Sequence, residues 1–116
     1  MITIYHNPRC RKSREGLQLV ESSGKPHEVR LYQKDPLSKK ELQVIVKALG
    51  IPAEALVRKN EAIWKSDYKG KELTEDDILT AMQENPSLIE RPVVSDGKRA
   101  VIGRPGEKIT EFLGNK

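Results

Sequence analysis

The stretch from Ile2 to Tyr32 constrains the fold more than any other part of the chain. Ile2-Thr3-Ile4-Tyr5 is short, apolar and β-branched, which predicts a strand, and Asn7-Pro8 stops it. A helix is predicted from about Arg11 to Ser22, with Leu17 and Val20 on one face and Gly24 as its stop. Pro26 then precedes a second strand, His27 to Tyr32, in which Val29 and Leu31 share a face. A strand, a helix and a strand joined by loops this short predict a parallel pair with a right-handed crossover.

The middle of the chain, about residues 37 to 88, reads as a helical insertion between strands. Ser38 and Glu41 form a capping box before an apolar face of Leu42, Ile45, Val46 and Leu49 that ends at Gly50. Pro52 opens a short helix through Ala55, Leu56 and Val57, and Trp64 reads as a packing residue. Thr74, with Glu75, Asp76 and Asp77 behind it, caps a helix carrying Ile78, Leu79 and Met82 up to Asn85-Pro86. Strands return at Pro92-Val93-Val94 and Ala100-Val101-Ile102, which flank the hairpin signal Asp96-Gly97. Pro105 is placed to open a last helix with Ile109, Phe112 and Leu113 facing inward and Gly114 at its end. The order predicts an α/β fold: a four-stranded sheet, two strands parallel and two antiparallel, with helices on its faces. A chain of 116 residues fits one domain, residues 1 to 116.

Composition narrows the function. Hydrophobic residues make up 36% and charged residues 33%, the balance of a soluble protein with a modest core. No apolar run approaches the roughly 20 residues that span a bilayer. The N-terminus lacks the basic-then-apolar order of a signal peptide, so a cytoplasmic location and no membrane partner are expected. The net charge of +4 is spread among acidic residues, and aromatics are only 4%, which argues against nucleic acid. No metal site or bound cofactor is expected.

The chemistry gathers at His6-Asn7-Pro8-Arg9-Cys10-Arg11-Lys12-Ser13-Arg14, which holds the one cysteine where the first strand hands over to the first helix. A free thiol has a pKa of about 8.5, and a helix N-terminus with cationic neighbours lowers it to about 3.5 to 7.5. Cys10 is therefore the candidate nucleophile; the bland alternative is a small buried hydrophobe. His6 is placed either to bond a loop carbonyl or to orient the loop and hold its proton balance. Asn7 and Ser13 are candidate hydrogen-bond donors to the thiolate or to an oxyanion. Arg14, one turn past Cys10, points either to the site or to solvent. Ser13 stands where a Cys-x-x-Cys motif has its second thiol, so reduction of any intermediate needs a thiol from outside.

The segment HNPRCRKSR resembles the His-x3-Cys-x3-Arg signature of the glutaredoxin-coupled arsenate reductases, the ArsC family. LVRKN at residues 56 to 60, IERPVV at 89 to 94 and GRP at 103 to 105 are similar to further family segments in the same order. The resemblance implies a thioredoxin-like fold with an inserted helical subdomain, oxyanion binding by Arg58, Arg91 and Arg104, and a cis-proline at Pro92. It implies arsenate as substrate, glutathione as co-substrate and glutaredoxin as partner of a monomeric enzyme. Arg11 and Lys12 make the loop more cationic than in the family's resistance enzymes. Taken alone, the three arginines read as surface salt bridges, with Glu61, Glu90 and Glu107 as nearby acids. A second class is represented by Spx-like regulators, which bind RNA polymerase; Ser13 in place of a second cysteine argues against their redox switch. A thiol oxidoreductase of the same family acting on another substrate is the third reading.

Overall fold

The computed structural model describes residues 1–104 and 106–114. Strand β1 (Ile2–Tyr5) leads into helix α1 (Arg11–Ser22), and β2 (His27–Arg30) returns parallel to β1 with Val29 opposite Ile4. Helices α2 (Lys39–Leu49), α3 (Ala62–Asp67) and α4 (Glu75–Glu84) follow, with 3-10 turns at Ala53–Leu56 and Pro86–Leu88. The hairpin of β3 (Val93–Ser95) and β4 (Ala100–Ile102) precedes α5 (Glu107–Gly114). The sheet order is β2-β1-β3-β4, with β3 antiparallel to both of its neighbours.

Alternation along the central strands gives each face its own apolar layer. Ile2, Ile4 and Val94 pack with Val20 of α1 and with Ile109, Phe112 and Leu113 of α5. Val93 and Ala100 point the other way, into a cluster with Leu42 and Ile45 of α2 and Ile78, Leu79 and Met82 of α4. Burying each large aliphatic side chain of this kind contributes about 1.5–3 kcal/mol, so the sheet is held from both sides.

The helices start where their caps dictate. Ser38 Oγ accepts from the Glu41 N–H at 3.1 Å and Glu41 returns the bond to the Ser38 N–H at 3.0 Å, while Gly50 ends α2 at φ 68°. Thr74 and Asp77 make the same reciprocal pair at the start of α4, at 3.1 and 3.0 Å. Trp64 is buried against the larger cluster and stacks on Tyr68 with ring centroids 5.5 Å apart.

Two local expectations are corrected. The second strand stops at Arg30 rather than Tyr32, because β1, its one partner among the described residues, ends at Tyr5; the chain turns at Leu31, and Tyr32 enters the core. Val29 stays 41% exposed on this edge strand. The hairpin signalled by Asp96-Gly97 forms, with Gly97-Lys98 at the centre of its turn: the Asp96 N–H donates to the Arg99 carbonyl at 3.0 Å and Asp96 Oδ1 caps the Lys98 and Arg99 N–H groups. The short helix after Pro52 is a 3-10 turn that stops at Leu56, and Val57 instead bridges to Ile89. The expected helix opener, Pro105, lies outside the described residues.

Candidate active site

Cys10 is the N-cap of α1, with extended backbone at φ −95°, ψ 120°, and its side chain is partly exposed. The loop before it is built from its own polar groups. Asn7 Oδ1 accepts from the Arg9 N–H at 3.0 Å, and the Asn7 carbonyl accepts from the Cys10 N–H at 3.0 Å. Ser13, fully buried one turn into the helix, accepts from the Asn7 N–H at 3.0 Å and lies 2.7 Å from His6 Nδ1. His6 is buried as well, at 4% exposure. Burial lowers its pKa, and the charge of Arg14 pushes the same way against an opposing hydrogen bond to the Ser13 backbone. A neutral imidazole whose Nδ1 accepts the Ser13 hydroxyl satisfies every partner in this trio.

This arrangement reassigns several residues. Ser13 is a candidate donor to the thiolate; its hydroxyl is engaged by His6 and Asn7, and its backbone N–H is the group that serves the sulfur. Arg14 turns back onto the loop, where Nη1 donates to the Pro8 carbonyl at 2.8 Å. Arg11 and Lys12 pair with Glu15 at 3.3 and 3.7 Å on the exposed side of α1. The cation at the thiol comes from elsewhere in the chain, and it is Arg91.

Burial pushes the Cys10 thiol up, and that effect is overcome by the Arg91 guanidinium and by the N–H groups of Ser13 and Lys12, which leave its pKa below the ordinary thiol value. These are the free donors of the first helical turn, acting together with the positive end of the helix dipole. Arg91 is followed by a cis peptide bond to Pro92, a fully buried residue that packs on Gly16 of α1. Its Nη1 donates to the Ser87 carbonyl at 3.2 Å, while Nε is buried with no partner among the described residues.

Tyr32 also belongs to this corner, and its sequence pattern concealed it as the end of a strand. It is fully buried, and burial pushes its pKa up to about 12, with the charge of Arg91 opposing and that of Cys10 assisting the rise. Its hydroxyl has no hydrogen-bond partner among the described residues.

Arg58 and Arg104 meet at a different point. Arg58 Nε lies 3.5 Å and Arg104 Nη1 4.0 Å from the same oxygen of Glu90. Val57, Arg58, Lys59, Asn60, Glu90 and Arg104 line a cavity of about 310 Å³, and Cys10 is not among its lining residues. Thus the structure sets Arg91 against Cys10 and gathers the other two arginines around the residue next to Arg91. Of the acids expected nearby, Glu90 is the one that pairs with them. Among the described residues, no cluster of His, Cys, Asp and Glu suits a metal ion, and no helix is long and apolar enough to cross a membrane.

The ArsC family model matches residues 5–112. The chain is 40% identical over 114 residues to an arsenate reductase of Haemophilus influenzae, covering 97% of this chain and 98% of that protein. It is 41% identical over 115 residues to Escherichia coli K12 "Uncharacterized protein YfgD", covering 97% of each. Among solved structures, an arsenate reductase from Vibrio cholerae superposes with a TM-score of 0.90 at 39% identity, over 95% of both chains.

Proposed function

Because the chain belongs to the ArsC family and has its thioredoxin-like fold, we propose that it reduces arsenate to arsenite with Cys10 as the nucleophile. The observation that carries the reading is the Cys10 environment: a partly exposed thiol at a helix N-terminus, with Arg91 beside it and its pKa lowered in spite of burial. At neutral pH a lowered pKa enlarges the thiolate fraction, and the thiolate is the attacking species.

In the proposed reaction the Cys10 thiolate attacks arsenic, a sulfur–arsenic bond forms, and one arsenate oxygen leaves as water after taking up protons. Arg91 offsets the oxyanion charge at the sulfur, while Arg58 and Arg104 complete the clamp; guanidinium forks suit such oxygens. Two electrons must then reach arsenic. The chain has one cysteine, so they come from external thiols. Glutathione attacks the arseno-enzyme adduct, and glutaredoxin takes up the resulting thiol oxidation as arsenite is released. In the sum, arsenic(V) becomes arsenic(III), two thiols become a disulfide and one oxygen becomes water.

A cavity of about 510 Å³ beside the Cys10 loop supports a small thiol as the second reactant: Asn7, Pro8, Leu31 and Gln33 line it together with the cations Arg9 and Lys34. Those cations suit the two carboxylates of glutathione.

The test is turnover of arsenate with glutathione, glutaredoxin and an NADPH-linked recycling system, reading arsenite. The wild-type protein is expected to turn over, Cys10→Ser to be inactive and Arg58→Ala to be impaired. Equal activity in the wild type and Cys10→Ser sinks the mechanism.

A further inference from the structure

Two arginines of the clamp share one carboxylate, yet neither is hydrogen-bonded to it. Glu90 Oε1 stands 3.5 Å from Arg58 Nε and 4.0 Å from Arg104 Nη1, ion-pair contacts beyond good hydrogen-bond length. Arg58 Nη1 is buried with no hydrogen-bond partner among the described residues. A buried donor left this way has lost its water without gaining a partner, and calls for an acceptor. The 310 Å³ cavity these groups line offers room for one.

We propose that Glu90 is an intramolecular occupant of the oxyanion clamp, a specificity-determining residue that holds Arg58 and Arg104 together until a tetrahedral oxyanion displaces it. The proposal rests on the reading that these arginines bind the substrate oxyanion.

The charges in the cavity explain why an occupant is needed. Arg58, Lys59 and Arg104 line it with Glu90 as the one acid among the lining residues, and Lys59 is drawn aside to Glu54 at 3.1 Å. Without Glu90, the two guanidinium groups would face each other with no counter-charge. With it, they stay in place, loosely held. The Glu90 side chain is itself 30% exposed, so it has solvent to swing into.

Displacement then depends on what the incoming anion offers. A tetrahedral oxyanion presents several oxygens and up to two charges, enough for paired hydrogen bonds to both forks and for the orphaned Arg58 donor; bonds of that kind are about twice as strong as neutral ones. A monovalent carboxylate or halide offers no more than Glu90 does. The carboxylate therefore sets a threshold that small monovalent anions fail to pass, and it does so by weakening the binding of every anion.

The experiment titrates arsenate, and separately inorganic phosphate, into Cys10→Ser protein by calorimetry, with Glu90 intact or changed to Gln or Ala; thermal denaturation checks that each variant is folded. Both Glu90 variants are expected to bind both anions about fivefold more tightly, the scale of one partly exposed ion pair. They are also expected to gain binding of acetate. Unchanged or weaker binding in both variants overturns the proposal and makes Glu90 a prop for the arginines. Absence of arsenate and phosphate binding in all three proteins overturns the clamp reading together with it.

Discussion

Gly16 lies so close to Pro92 that a Cβ at this position would stand 2.6 Å from the proline Cγ and 2.9 Å from the Ile109 Cδ1. The missing side chain is what lets α1, with Cys10 at its cap, seat against the proline that follows Arg91. Gly16→Ala therefore sets two effects against each other. Helix propensity favours alanine by about 1 kcal/mol, but forcing a methyl group into a closed contact costs about 1–3 kcal/mol. Pro92 is fully buried and its ring cannot swing away, so the clash is expected to win, with a net loss of about 1 kcal/mol in urea denaturation. A variant as stable as the wild type would show that α1 slides without cost.

Removing the cation at the thiol has a direct readout. Arg91→Ala takes away the guanidinium that lowers the Cys10 pKa and leaves burial, which raises it, opposed only by the helix N–H groups. The pKa from the pH dependence of iodoacetamide alkylation is expected to move up, with alkylation at pH 7 slowed as the thiolate fraction falls. Lys12→Ala is expected to leave that profile in place, because its backbone N–H rather than its ammonium serves the sulfur. Equal profiles for wild type and Arg91→Ala would remove Arg91 from the account.

Ser13→Ala strips partners from two groups at once. The Asn7 N–H loses its acceptor and His6 Nδ1 loses its neighbour, both in buried surroundings. An unsatisfied buried polar group costs about 1–3 kcal/mol, so thermal or urea unfolding is expected to report a loss in that range. Loop disorder should also slow alkylation of Cys10, since Asn7 carries the turn that positions it. No change in stability would mean that water replaces the hydroxyl.

His6 makes the fold sensitive to acid. Its pKa in the folded protein lies below the ordinary value of about 6.5, chiefly through burial. Between that lowered value and 6.5 the unfolded chain binds more protons, so stability rises with pH across this window. The contribution is full above 6.5, falls as pH drops through the window, and levels off below the folded pKa. Urea midpoints measured from pH 7.5 down to 5 are expected to fall more in the wild type than in His6→Gln. Parallel curves for the two proteins would count against the buried neutral imidazole.

Much of the fold was legible because its signals are local. The strand at Ile2–Tyr5, the helix from Arg11 to Ser22 and the capping boxes at Ser38 and Thr74 each depend on groups within a few residues of one another. The mixed sheet followed from their order. The second strand was overdrawn to Tyr32 because alternation continues past Arg30, whereas pairing stops where β1 runs out.

The site divides the same way. Sequence by itself determined the candidate nucleophile, Cys10, its place at a helix N-terminus and the lack of a second cysteine, since these depend on residue identity and near neighbours. It pointed to the nearby cations of the loop as well, and there tertiary structure decided otherwise: Arg11 and Lys12 turn to Glu15, Arg14 to Pro8, and Arg91 stands at the sulfur. Tertiary structure also brought Tyr32 within reach of the charges of Arg91 and Cys10, and selected Glu90 from the nearby acids as the partner of both Arg58 and Arg104. The physical reason is that a pKa or an ion pair answers to distance and burial in space, and separation along the chain encodes neither.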